Sequence, residues 1–83
     1  MKVLYFAWLR ERLNLSEEEI AFPPQVVTTG DVIAFLAARD EAGALAFDRP
    51  AIFKTALDAR IVPHHAPIAG ASTIALLPPM TGG

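Results

Sequence analysis

The stretch Thr28-Thr29-Gly30-Asp31-Val32-Ile33-Ala34-Phe35-Leu36-Ala37 decides the fold. Thr28 and Asp31 stand at capping-box spacing, where each side chain can accept from the other residue's backbone N–H. An acidic group in the first turn also suits the positive end of the helix dipole. Val32, Phe35 and Leu36 follow at i, i+3 and i+4, with Ile33 and Ala37 beside them, which makes one apolar stripe. The spacing predicts a helix from Thr28 to about Arg39-Asp40, stopping before Gly43. It is the one long helix the sequence announces; Ala44-Leu45-Ala46-Phe47 suits only a short helical turn.

Extended segments surround this helix. Lys2-Val3-Leu4-Tyr5-Phe6-Ala7-Trp8 is rich in β-branched and aromatic residues and reads as a strand. Strand neighbours point to opposite faces, so Val3, Tyr5 and Ala7 share one face and Leu4, Phe6 and Trp8 the other. Both faces are apolar, so this strand is either covered twice or has a partner-binding side. Leu9-Arg10-Glu11-Arg12-Leu13 suits one helical turn. Glu17-Glu18-Glu19-Ile20-Ala21-Phe22 has two readings. Ser16 with Glu19 has capping-box spacing, but the segment is short and Pro23-Pro24 closes it at once. The strand reading is preferred, with acidic residues along an open edge where charge discourages edge-to-edge association.

Ala51 to Leu57 reads as a third strand started after Pro50, Asp58-Ala59-Arg60 as a turn, and Ile61-Val62 as a short return strand. Prolines bracket Pro63-His64-His65-Ala66-Pro67, which reads as a loop. Ser72 to Leu77 is the last strand, with Ile74 and Leu76 on one face and Thr73, Ala75 and Leu77 on the other. The predicted class is α+β: a mixed sheet of four to five strands with one main helix across one face. The opposite sheet face is expected to stay open, with Phe6, Trp8 and Leu77 on it.

With 83 residues the chain is one domain. A chain of this size buries only about 60–65% of its unfolded surface. Its 53% apolar content is high for such a domain. Either the core is rich in alanine or part of the apolar surface is meant for a partner. A net charge of −2 without a basic run gives no reason to expect nucleic acid. No long apolar stretch predicts a membrane span and no basic-start signal peptide is read, so the expected location is cytoplasmic. There is no cysteine, which excludes disulfides, thiolate metal sites and a thiol nucleophile.

The sequence closes on Pro78-Pro79-Met80-Thr81-Gly82-Gly83. Two glycines leave a terminal carboxylate unhindered and thin enough for a narrow channel, and they bend where other residues do not. The prolines fix φ and hold the approach extended, aimed away from the body. The domain is expected over residues 1–78, with 79–83 a flexible tail. A side-chain-free carboxylate on a stiff stalk suits a group that another enzyme must activate. With no thiol in the chain, that carboxylate is the candidate carrier of any sulfur.

Strand order, tail and length together resemble the ubiquitin-like β-grasp sulfur carriers, and more narrowly the small-subunit family of molybdopterin synthase. The start Lys2-Val3-Leu4-Tyr5-Phe6-Ala7 with Leu9-Arg10-Glu11 is similar to that family's first strand. The ending Pro-Pro-Met-Thr-Gly-Gly is similar to its Pro-Pro-x-x-Gly-Gly terminus. The resemblance implies that a ubiquitin-activating-like adenylyltransferase uses ATP to adenylate the carboxylate of Gly83, while Gly82 gives clearance. A persulfide donor then supplies sulfur, giving a thiocarboxylate. The tail enters the large subunit and donates sulfur to cyclic pyranopterin monophosphate, in a heterotetramer of two small and two large subunits. The small subunit is a sulfurtransferase component with no activity expected alone and no bound cofactor. Partner contacts are implied for Phe6, Arg10, Ile61 and Leu77, and for the stalk and tail residues Pro78, Pro79, Met80 and Thr81. Two positions depart from the family pattern: Ala69-Gly70-Ala71-Ser72 lacks the acidic turn before the last strand, and Asp58 stands where Asn is frequent.

Other constellations read as scaffold. Adjacent His64 and His65 in an extended loop point apart, and no cysteine or well-spaced carboxylate accompanies them, so no metal site is expected. Glu17-Glu18-Glu19 reads as a solvated edge and Lys54 as an exposed lysine. Other functional readings share the tail: a carrier for thiamine or tRNA thiolation, or a ubiquitin-like modifier. A binding module with an inert tail is the reading from another class.

Overall fold

The computed structural model describes residues 1–80. The helix that opened the sequence reading is present as α2, Thr29–Arg39, and its cap forms as the spacing requires. Thr28 Oγ1 accepts from the Asp31 N–H (3.1 Å), and Asp31 Oδ2 accepts from the N–H groups of Thr28 and Val27 (both 3.0 Å). These bonds hold the Asp31 carboxyl below the usual aspartate range, the Val27 and Thr28 N–H groups first among the causes. Thr29, Val32, Ile33 and Leu36 are buried on the inner face. Asp40 then turns extended and caps the next helix, α3 (Glu41–Ala46), accepting from the Gly43 N–H at 2.7 Å.

Gly43 lies inside α3 rather than merely ending α2. A Cβ there would stand 2.0 Å from the Leu36 carbonyl oxygen, so glycine is what lets the two helices fold tightly onto each other.

Five strands make one sheet: β1 Lys2–Tyr5, β2 Glu17–Glu19, β3 Lys54–Leu57, β4 Arg60–Val62 and β5 Thr73–Leu77, in the order β2-β1-β5-β3-β4. β1 and β5 run parallel at the centre, and the other pairs are antiparallel. Glu17–Glu19 takes the strand form on the sheet edge, because its backbone pairs with Lys2–Leu4. The row Tyr5, Leu76, Thr55, Val62 runs across the face under α2, and the row Leu4, Ala75, Ala56, Ile61 across the other. Val3, Tyr5, Ile74 and Leu76 pack with Val32, Ile33 and Leu36, and with Leu9, Ala46, Phe47 and Phe53, into the core. At about 25 cal/mol per Å² this apolar burial is the main favourable contribution to folding.

The remaining polar groups of the core are paired. Thr55 Oγ1 lies 2.9 Å from the Val62 carbonyl and 3.2 Å from Thr29 Oγ1, and the Thr29 hydroxyl donates to the Pro63 carbonyl (3.1 Å). Tyr5, at the buried end of β1, donates its hydroxyl to Glu18 (2.6 Å), and Arg39 grips the same carboxylate through two N–H groups (3.0 and 2.9 Å). This bridge ties the end of α2 to the β2 edge. Arg39 holds the Glu18 carboxyl below the usual glutamate range, and burial together with Glu18 pushes the Tyr5 phenol up.

Three strand expectations are corrected. The first strand stops at Tyr5, not Trp8. Ala7 adopts φ 53° and ψ −138°, a conformation that favours glycine, and the Leu9 N–H bonds to the Phe6 carbonyl (3.2 Å), turning the chain into α1, Trp8–Leu13. Strand parity therefore does not extend to Ala7 and Trp8. The third strand begins at Lys54, because Pro50–Ile52 winds into a 3₁₀ turn. Arg60 belongs to β4, paired with Leu57, so the hairpin turn is only Asp58-Ala59, both at positive φ (47° and 71°).

Asp58 does more than turn the chain. Its Oδ1 accepts from the N–H groups of Ser72 and Thr73 (both 3.0 Å), pinning the start of β5. Thr73 and Ser72 thereby hold this carboxyl below the usual range. The turn at Gly70, φ 85°, lies just before that junction.

Candidate functional site

β5 runs from this pinned start through the sheet centre and delivers the chain to Pro78 and Pro79 at the opposite end. The two prolines are half-buried, whereas Met80 is 96% exposed. Leu77, Pro78, Pro79 and Met80, with Ile52 and Lys54, line a groove of about 330 Å³. Lys54 stands directly opposite Leu77 in the β3–β5 register. The predicted stalk is thus not free-standing: it leans on the domain before leaving it. Thr81, Gly82 and Gly83, named as tail and reacting residues from the sequence, lie outside the described residues.

Trp8 is what the stalk leans on. Its indole N–H donates to the Pro79 carbonyl at 3.1 Å. Its ring packs against Phe53 (centroids 5.7 Å apart, 55° between planes), and the buried Phe53 packs in turn on Phe47 (5.1 Å). The Arg12 guanidinium, one helical turn along α1, sits 5.0 Å from the Trp8 ring centroid. Sequence reasoning placed Trp8 on the open face of a strand. The cue it lacked was the positive φ of Ala7, which nothing in the composition announces.

Of the other partner residues expected from the sequence, none lines this groove. Phe6, directly after β1, is 41% exposed, and Ile61 on β4 is 63% exposed. Ile61 shares its sheet face with Leu4, Ala75 and Ala56, and Leu77 alternates onto that face along β5. The face is apolar and uncovered, since α2 packs on the other side of the sheet. Arg10 is exposed on α1.

The carboxylates whose proton affinity is lowered, Glu18, Asp31 and Asp58, all serve the scaffold. His64 donates from Nε2 to the Phe53 carbonyl (2.7 Å), and its own carbonyl accepts from the Gly30 N–H (2.8 Å), which fastens the loop to α2. Among the described residues no group of three or more His, Cys, Asp or Glu side chains is placed to hold a metal ion. No helix among them is long and apolar enough to cross a membrane. What this arrangement offers chemically is a held stalk leaving the sheet beside the apolar strip of the face opposite α2.

The comparisons with known proteins fit this geometry. A protein from Pyrococcus furiosus, provisionally named molybdopterin converting factor, subunit 1, has a similar structure: TM-score 0.72, 24% identity, 94% of each chain covered. SAMP1 from Haloferax volcanii is similar at TM-score 0.72 and 18% identity, covering 100% of this chain and 98% of that one. At these identities the likeness establishes the ubiquitin-like β-grasp fold. No curated protein matches the chain. The model of the ThiS family matches residues 3–83, nearly the whole sequence. The chain therefore belongs to the ThiS family of ubiquitin-like β-grasp sulfur carriers.

Proposed function

We propose that this chain carries sulfur as a thiocarboxylate on Gly83 and serves as the small subunit of molybdopterin synthase, donating that sulfur to cyclic pyranopterin monophosphate. The observation that carries the reading is the route of β5: it ends in Pro78-Pro79 at the end of the sheet, with Met80 in solvent and Gly82-Gly83 following in the sequence. A carboxylate is a poor electrophile because oxide is a poor leaving group. Adenylation by a partner enzyme converts the Gly83 carboxylate and ATP to an acyl-adenylate and pyrophosphate. A persulfide sulfur then attacks the acyl carbon and expels AMP. A partner thiol cleaves the resulting acyl disulfide and leaves the thiocarboxylate on Gly83. None of these steps asks this chain for an acid, a base or a thiol, in keeping with its lack of cysteine.

The partners in this reading are a ubiquitin-activating-like adenylyltransferase, a persulfide donor and a large subunit, the last in a heterotetramer. Phe6, Ile61 and Leu77 supply the apolar contact, Arg10 a polar one, Pro78 and Pro79 meet the partner at the mouth of its channel, and Met80 and Thr81 lead into it. Work in the cytoplasm follows from the ATP-dependent activation. The test is intact mass after incubation with the activating enzyme, ATP and a persulfide donor, beside a Gly83 deletion. Exchange of one oxygen for sulfur is expected in the full chain only; the deletion separates it from methionine oxidation, which adds nearly the same mass. No exchange with a competent enzyme would leave a binding module with an incidental diglycine. If the thiocarboxylate forms but is not consumed with the large subunit and cyclic pyranopterin monophosphate, the acceptor belongs to thiamine or tRNA thiolation instead.

A further inference from the structure

We propose that Trp8 is a positioning residue that aims the tail, an inference that rests on the carrier reading. Pro78 and Pro79 have no backbone N–H, so a stalk made of them can be hydrogen-bonded only through its carbonyls. The indole N–H is a donor with no acceptor, and here it donates to the Pro79 carbonyl at 3.1 Å, across 71 positions of sequence. The ring that presents this donor is itself held. Phe53, buried and backed by Phe47, lies on one side, and Arg12 caps the ring at 5.0 Å. The turn at Ala7 places Trp8 at the first position of α1, from which its side chain reaches the end of β5.

Pro79 is consequently the last point of the described chain tied to the domain by a side-chain bond, and Met80 is already in solvent. Met80 to Gly83 separate it from the Gly83 carboxyl of the carrier reading, a span of at most about 14 Å. Fixing the origin and direction of so short a segment removes conformations in which the carboxylate points away from a partner's channel. A partner that accepts only the aimed conformation then binds more tightly in proportion to its population. The Trp8 bond acts on recognition of the tail and leaves the chemistry at Gly83 untouched.

The variant that isolates the bond is Trp8→Phe, which keeps an aromatic ring against Phe53 and removes the donor. Two readouts use the isolated protein. In the wild type, the Trp8 indole proton should exchange with solvent more slowly than an exposed indole. In Trp8→Phe, the Met80 amide, the first N–H after the prolines, should gain fast motion by ¹⁵N relaxation while the thermal midpoint stays within a few degrees. The third readout is pyrophosphate exchange with the activating enzyme: KM for the carrier should rise about 3–10-fold, the worth of one hydrogen bond, with kcat within about twofold. An indole that exchanges freely, or an unchanged Met80 amide, would overturn the tether. A loosened tail with unchanged KM would overturn the positioning role. A wild type that is never adenylated would sink the carrier reading, and with it the positioning role, while the indole and Met80 measurements still decide whether the tether exists.

Discussion

Three carboxylates carry much of the polar architecture: Glu18 between Tyr5 and Arg39, Asp31 at the cap of α2, and Asp58 at the start of β5. Each is held below its usual range by the hydrogen bonds it accepts. The sign of the pH effect follows. A depressed native pKa means that the unfolded chain binds more protons in acid. The stability is therefore present above the unfolded values, 4.5 for Glu and 3.8 for Asp, and is lost as pH falls through the native ones. The urea midpoint should be steady near neutrality and decline below about pH 4.5. Glu18→Gln should remove part of that decline, and a decline unchanged in the variant would exclude Glu18 from it. Asp31's role was legible because cap and partner are three residues apart. Asp58 accepts from Ser72, 14 positions away, and Glu18 from Tyr5 and Arg39, 13 and 21 positions away, and no local pattern announces these partners.

At the scale of the elements, the α2–α3 corner is the most exacting. Helix propensity favours alanine over glycine at position 43, since the residue is helical. The 2.0 Å approach of a built Cβ to the Leu36 carbonyl decides the other way, because backbone cannot step aside as a side chain can. Gly43→Ala should cost about 1–3 kcal/mol in urea unfolding, and a neutral or stabilised variant would show that the corner relaxes freely. The sequence read Gly43 as a boundary marker, which is the common use of the residue. Its contact with Leu36 depends on how two helices cross, a relation that neither helix encodes by itself.

For the molecule as a whole, the sheet has one face under α2 and one uncovered. On the carrier reading the uncovered face meets the partner around the inserted tail. Ile61 is the cleanest probe, since it is 63% exposed and its loss empties nothing in the core. Ile61→Asp should weaken the complex with the large subunit about 5–30-fold, the effect of desolvating a charge at an apolar contact, with little change in thermal midpoint. Native gel or calorimetric titration measures the first and a thermal melt the second. A large loss of stability would mean that Ile61 supports the fold, and an unchanged affinity would take it out of the interface.

The sequence by itself determined the cap and stripe of α2, the alternation of β5, the edge position of the acidic strand and the Pro-Pro-Met-Thr-Gly-Gly ending. All of these are local patterns, in which the residues that matter lie within a few positions of one another. Tertiary structure alone decided where β1 ends, what Gly43 permits, which backbone Asp58 clamps, and that Trp8 holds Pro79. The reason is common to all four: a positive φ at Ala7, a helix crossing, and contacts made across 14 or 71 positions are set by the whole packed chain. Spacing along the sequence carries no record of them.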